Sequence, residues 1–127
     1  MITPYYAGAM GLMFAVLSAR VILVRRRDRV AFGARRDTDL ERRIRVHANF
    51  AEYVPITLLL IGLAEWRGAA PIWIHGLGGL LVVGRLAHAI GLSHSRTDQI
   101  GRVVGMAGTL SALLGASLLC LLPAAQR

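Results

Sequence analysis

Four long apolar runs constrain this chain more than any other feature of its sequence. They cover residues 5–24, 53–66, 71–92 and 103–122, and most of the charged residues lie between them. A helix needs about 20 largely apolar residues to cross a bilayer core of roughly 30 Å. Three runs reach that length, and the second reaches it if its helix begins near Asn49. The pattern predicts one all-α domain over residues 1–127, an integral membrane four-helix bundle with helices at about 4–25, 38–66, 71–92 and 99–122.

The chain is strongly basic, and the placement of its charge predicts how it lies in a membrane. The formal net charge is +8, every basic side chain is an arginine, and ten of the fifteen lie between Arg20 and Arg45. Because these arginines gather around one loop between apolar runs, no nucleic-acid partner is expected. Basic loops face the cytoplasm. We therefore expect residence in the bacterial inner membrane, with loops one and three cytoplasmic, near anionic lipids, and both termini outside.

Signals for export and for metal binding are weak. No cleavable signal peptide is expected, because the positive charges follow the first apolar run and do not precede it. The single cysteine, Cys120, cannot form an intrachain disulfide or a cysteine cluster for a metal, so no metal site is predicted.

The fourth apolar run carries a stripe of small residues. Gly101, Gly105, Gly108, Ala112 and Gly115 recur at helical spacing and fall on one side of a helix. Small side chains let two helix backbones approach closely, which is the main packing device available in lipid. The stripe therefore predicts a tight contact between two helices.

A polar stripe lies where the arginine-rich segment meets the second apolar run, in the stretch RVHANFAEYVP. At about 100° per residue, Arg45, Asn49 and Glu52 share one narrow helix face, with Tyr53 at its edge, while His47 points to another side. Ionisable groups are costly at membrane depth, so a face of this kind is a candidate functional site.

The third helix adds charge at the same depth. Arg85 and His88 share a face near its end, and Arg96 and Arg102 follow in the loop and the next helix. Glu52 could simply pair with an arginine of the stripe or with Arg85, which would staple two helices together. More arginines than carboxylates remain, however. The surplus predicts an anionic ligand, because guanidinium groups bind carboxylates and phosphates through several donors.

The stretch RVHANFAEYVP resembles the motif of the MAPEG family, the membrane-associated proteins in eicosanoid and glutathione metabolism. That motif is arginine, three residues, asparagine, two residues, glutamate, tyrosine, one residue and proline. The four runs and the segment GRLAHAIGLSHSRTDQIGRVVGMAGT agree with it, so the resemblance covers essentially the whole chain, closest to the bacterial branch related to microsomal glutathione transferases. It implies a homotrimer that binds glutathione between subunits, on the cytoplasmic side, as an activated thiolate.

The resemblance also implies the residues of the site. By motif position, contacts with glutathione fall on Arg25 or Arg26, Arg45, His47, Asn49, Glu52, Tyr53, Arg85 and His88. Glu52 suits the amino group of the tripeptide. Thiol activation falls on Arg102, or on Arg96 if the loop aligns differently. The implied function is a membrane-bound glutathione transferase or peroxidase, with glutathione as co-substrate and a lipophilic electrophile or hydroperoxide arriving from the bilayer.

Three other functions compete with this reading. His47 and His88, at similar depth on adjacent helices, suit a bis-histidine haem, but a haem protein leaves the polar stripe without a role. A small four-span drug exporter is expected to carry a carboxylate in helix one, and helix one has none within its apolar run. The main alternative is a MAPEG-fold protein that binds lipid or a partner without catalysis, since His88 and Leu92 stand where relatives often have tyrosine.

Overall fold

A computed structural model of the chain describes residues 1–34, 38–94 and 99–122. Four helices account for nearly all of them: α1 (Thr3–Arg27), α2 (Thr38–Trp66), α3 (Pro71–His94) and α4 (Gln99–Leu121). Each corresponds to a segment long and apolar enough to span a membrane, namely Thr3–Asp28, Asp39–Trp66, Pro71–Gly91 and Ile100–Leu121. These ranges contain no strand. The predicted fold class, an all-α integral membrane four-helix bundle, is confirmed.

The bundle has an aliphatic core and apolar outer faces. Ile61, Ile74 and Leu81 are completely buried in the interior, where α4 contributes the small side chains Ala112 and Ala116. Many large apolar residues remain exposed on the outside of all four helices. Exposure on this scale is unusual for a protein in water and is what the hydrocarbon of a bilayer requires.

The tightest contact in the bundle joins α3 to α4 through glycines. A Cβ atom on Gly105 would lie 2.6 Å from both the carbonyl oxygen of Gly84 and the backbone nitrogen of His88. One on Gly101 would lie 3.1 Å from the Cα atom of Gly91. The close packing expected of the α4 stripe is therefore present, and the partner helix belongs to the same chain.

Polar contacts fix the end of the bundle at which α1 begins and α2 ends. The carboxylate of Glu65 accepts hydrogen bonds from the backbone N–H groups of Ile2 and Thr3. These groups have no partner within α1, and an anion here also complements the positive end of its dipole. Next to it, Arg67 donates to the carbonyl oxygens of Cys120 and Leu122 at the end of α4. Three helices are thus held together at this end.

The other end is called here the arginine-rich end: α1 and α3 finish there, and α2 and α4 begin. Arg25 donates through Nη1 to carbonyl oxygens of the segment after α1, with the best contact to Gly33 at 3.0 Å. Val24, Val30 and Leu40 form a small separate core beneath that segment. This part of loop one is therefore packed against the end of α1 and the start of α2.

Candidate functional site

A buried arginine joins α2 to α3 toward the arginine-rich end. Arg85 is only 1% exposed, and its Nη1 donates to the side-chain oxygen of Asn49 at 2.8 Å, with a weaker contact to the Asn49 carbonyl at 3.4 Å. Its Nε and Nη2 atoms are buried and have no hydrogen-bond partner among the described residues. The sequence placed both residues at one depth, and the structure brings them into direct contact.

A cleft of about 510 Å³ opens beside this pair. It is lined by Asn49 from α2, His88 from α3, and Arg102, Val103 and Met106 from α4. His88 is buried, whereas Arg102 is exposed at the rim. The cleft therefore combines an amide, an imidazole and a guanidinium with an apolar wall.

The contact with Arg85 decides which way the amide of Asn49 points. A guanidinium can only donate hydrogen bonds, so the amide atom that faces it must be the oxygen. The NH₂ group of Asn49 then points away from Arg85. Together with Arg102, the cleft offers donors to an anion from two helices.

Three other residues of the predicted site lie on α2, near Asn49 in the sequence. Arg45 and Glu52 are exposed on the outer face of the bundle, and Tyr53 is half-buried. No ion pair joins Glu52 to Arg45 or to Arg85 within the described ranges. The helix-stapling ion pair considered from the sequence is therefore not formed in the single chain, and a carboxylate at membrane depth faces outward.

The structure turns His47 away from the cleft. Its Nε2 lies 3.0 Å from the hydroxyl of Ser18, and its ring stacks on Phe14 with centroids 4.8 Å apart, so it packs against α1. Arg25 is engaged with loop-one carbonyls, as described above, and Arg26 is exposed at the end of α1. In the single chain these three positions do not meet the cleft.

One predicted site residue lies outside the described part of the chain, and two residues that were not predicted line the cleft. Arg96 lies outside the described residues. Val103 and Met106 line the cleft, and the sequence analysis missed them because apolar residues on an apolar helix carry no distinguishing signal. Their spacing from Arg102, one and four residues along α4, was the available clue.

Comparison with known proteins identifies the family. Residues 3–122 match the MAPEG family. The chain is 35% identical over 114 residues to the inner membrane protein YecN of Escherichia coli strain K12, and the alignment covers 90% of this chain and 86% of that protein. YecN of E. coli O6:H1 strain CFT073 matches to the same extent. No solved structure gives a significant match. A match over nearly the full length, on a bundle that brings Asn49 and Arg85 of the two motif segments together, shows that the chain belongs to the MAPEG family of membrane proteins.

Proposed function

We propose that this protein is a glutathione transferase or peroxidase of the inner membrane, acting on a lipophilic electrophile or hydroperoxide. The observation that carries the proposal is the cleft, in which Asn49, His88 and Arg102 converge from three helices. It offers several donors for an anion and a wall of Val103 and Met106 for an apolar co-substrate. The name of the relatives, inner membrane protein YecN, supports the location.

The chemistry follows from placing a thiol beside Arg102. A free thiol ionises near pH 8.5, and an adjacent cation lowers that pKa and increases the thiolate fraction. Arg102 lies in the first turn of α4, where the positive end of the helix dipole acts in the same direction. The thiolate sulfur then bonds to an electrophilic carbon as the leaving group departs. With a hydroperoxide it attacks the outer oxygen, the O–O bond breaks, and the alkoxide leaves and is protonated to the alcohol. A second glutathione then displaces water from the resulting sulfenic acid and forms the disulfide.

The family motif suggests how the tripeptide is held. Its carboxylates suit arginines such as Arg45 and Arg25 or Arg26, its amino group suits the Glu52 carboxylate, and Tyr53 and His88 supply further polar contacts. Arg45 and Glu52 face outward in the single chain. A ligand bound between subunits of a homotrimer gives these exposed groups a partner, which an isolated chain in lipid does not. His47 packs against α1 here and supports that site only indirectly.

The topology proposed with this function places the arginine-rich end in the cytoplasm, where glutathione is abundant, and both termini outside. Family membership argues against a haem protein and a drug exporter. The non-catalytic MAPEG alternative rests on the family pattern, in which His88 stands where relatives often have a tyrosine and Leu92 where some have a second one.

Calorimetric titration of the detergent-solubilised protein with glutathione, and with other cellular thiols, tests the proposal. Glu52→Gln is expected to weaken binding about tenfold to a hundredfold, because a hydrogen bond to a charged group is lost, while leaving thermal stability unchanged. Glu41→Gln, an exposed glutamate near the start of the same helix, is the matched control and should bind like the parent.

A parent protein that binds no thiol would refute the transferase reading and favour the non-catalytic one. A Glu52→Gln variant that binds normally but melts early would instead make Glu52 a structural residue.

A further inference from the structure

Arg85 is the least explained residue of this bundle. It is completely enclosed at a depth where an unpaired charge is costly, yet its only hydrogen-bond partner among the described residues is the neutral Asn49. Two of its nitrogen atoms, Nε and Nη2, have no partner there. A methionine or leucine would fill the same space at lower cost. A residue that lowers the stability of the fold is expected to have a role other than stabilising it.

The position of Arg85 relative to the cleft supplies that reason. Its guanidinium contacts Asn49, which lines the cleft, whereas Arg85 itself is not among the residues that line it, so the guanidinium lies behind Asn49. His88, one turn further along α3, lines the cleft together with Arg102. The cleft is therefore flanked by a cation on its buried side and by another at its rim.

Burial makes the inner cation the more effective one at a distance. Water and salt screen Arg102, which is exposed, but have no access to Arg85, which is 1% exposed. Charge–charge interactions are stronger where the surroundings are less polarisable. The fixed positive charge of Arg85 thus acts on the cleft without touching the ligand.

We infer that Arg85 is a positioning residue of the thiol site, which turns the amide of Asn49 toward the ligand and adds an unscreened positive charge that favours a thiolate in the cleft. The inference rests on the proposed function. In the step concerned, the S–H bond of bound glutathione breaks, its proton leaves to the solvent, and the negative charge stays on sulfur. No other bond forms or breaks.

Two substitutions separate the charge from the geometry. Arg85→Met removes the charge but fills the site, and replacing a buried unpaired ion by a hydrophobe is often neutral or stabilising. We expect the full-length variant to melt no earlier than the parent, while the pKa of bound glutathione rises by about one pH unit. Arg85→Lys keeps the charge without the planar fork. It should leave that pKa near the parental value and weaken glutathione binding severalfold, because the Asn49 amide is no longer fixed.

The thiolate absorbance of bound glutathione, titrated with pH in detergent, reads the pKa, and calorimetry reads the affinity. Arg67→Met, which removes an arginine at the opposite end of the bundle, is the matched control and should leave the thiol pKa unchanged. A purely structural role for Arg85 would lower the melting temperature and leave the thiol pKa of the folded fraction unchanged.

The outcomes distinguish this inference from the proposed function. If the parent forms bound thiolate and Arg85→Met keeps the parental pKa, the inference is wrong and the proposed function stands. If the parent forms no bound thiolate, the inference and the proposed function are both wrong. Should Arg85→Met fail to fold, Arg85→Lys decides alone, and parental affinity in that variant overturns the positioning role.

Discussion

Arg102 is an exposed positive charge of the cleft and Arg85 is a buried one. This difference in burial determines how each arginine can act on a bound ligand. Arg102 is exposed at the rim, in the first turn of α4, where its flexible side chain can reach a ligand atom directly. Arg85 is buried and hydrogen-bonded to Asn49, and it does not line the cleft. Direct contact with sulfur therefore belongs to Arg102 in the proposed mechanism, and the fixed background charge belongs to Arg85.

Arg102→Ala is expected to lower turnover about a hundredfold or more while leaving glutathione affinity nearly intact. Other arginines hold the carboxylates, so the lost interaction is one made only with the ionised thiol, and such a loss appears in kcat. The pKa of the bound thiol should rise, so activity should recover as the pH increases. Thiolate absorbance and the pH profile of kcat measure this.

Arg96→Ala is the variant to compare with Arg102→Ala, because Arg96 is the other candidate for thiol activation. If it removes the thiolate signal while Arg102→Ala keeps it, Arg96 is the activating residue and the loop alignment must shift. If neither variant matters, thiol activation by Arg102 or Arg96 is excluded.

At the scale of the elements, the contact between α3 and α4 determines the shape of the cleft, because each helix contributes to its wall. Gly105 lies opposite the backbone of His88, and a Cβ atom there would meet it at 2.6 Å. We expect Gly105→Ala to force the two helices apart and to cost about 1–3 kcal/mol of stability, as overpacking does. Gly76→Ala on α3, where a Cβ atom would meet nothing within 4 Å, is the control.

The control should be neutral or slightly stabilising, because alanine favours helix by about 1 kcal/mol over glycine. Thermal unfolding in detergent compares the two variants. Gly105→Ala should also weaken glutathione binding, since it displaces His88. A Gly105→Ala variant as stable as the parent would mean that α3 and α4 lie further apart than described.

The element scale also shows where sequence reasoning succeeds and where it stops. Apolar runs of membrane length leave the backbone no alternative to helices, so the fold class followed from the sequence. The spacing of Asn49 and Arg85 within their helices correctly predicted a shared depth. Helical periodicity gives the direction of a side chain but does not name the helix it meets. It could not reveal that His47 packs on Ser18, or that the α4 glycines serve α3 of the same chain.

At the scale of the whole molecule, the single chain leaves polar groups uncovered. Arg45 and Glu52 face outward from α2, and Glu52 directly precedes the apolar run that begins at Tyr53, where an unpaired charge is costly. The glycine stripe, which could have served an interface, is already occupied by α3. The polar groups on the outward face of α2 are therefore the reason to expect assembly. We expect a homotrimer, with a protein mass three times the 13.7 kDa of one chain, by light scattering in detergent.

Mixed assemblies provide the sharper test, because they ask whether subunits share a site. At a glutathione concentration well below the Kd of the Glu52→Gln variant, Glu52→Gln and Arg102→Ala subunits should each have little activity alone. If α2 of one subunit and α4 of its neighbour form each site, random mixing gives about a quarter of the sites both intact side chains. Purification of co-expressed subunits through two different tags keeps only mixed trimers, in which one site of three has both intact side chains, so these trimers should recover about a third of parental activity. A mixed trimer that recovers no activity would place each site within one chain. A monodisperse monomer with parental activity would show that assembly is not required.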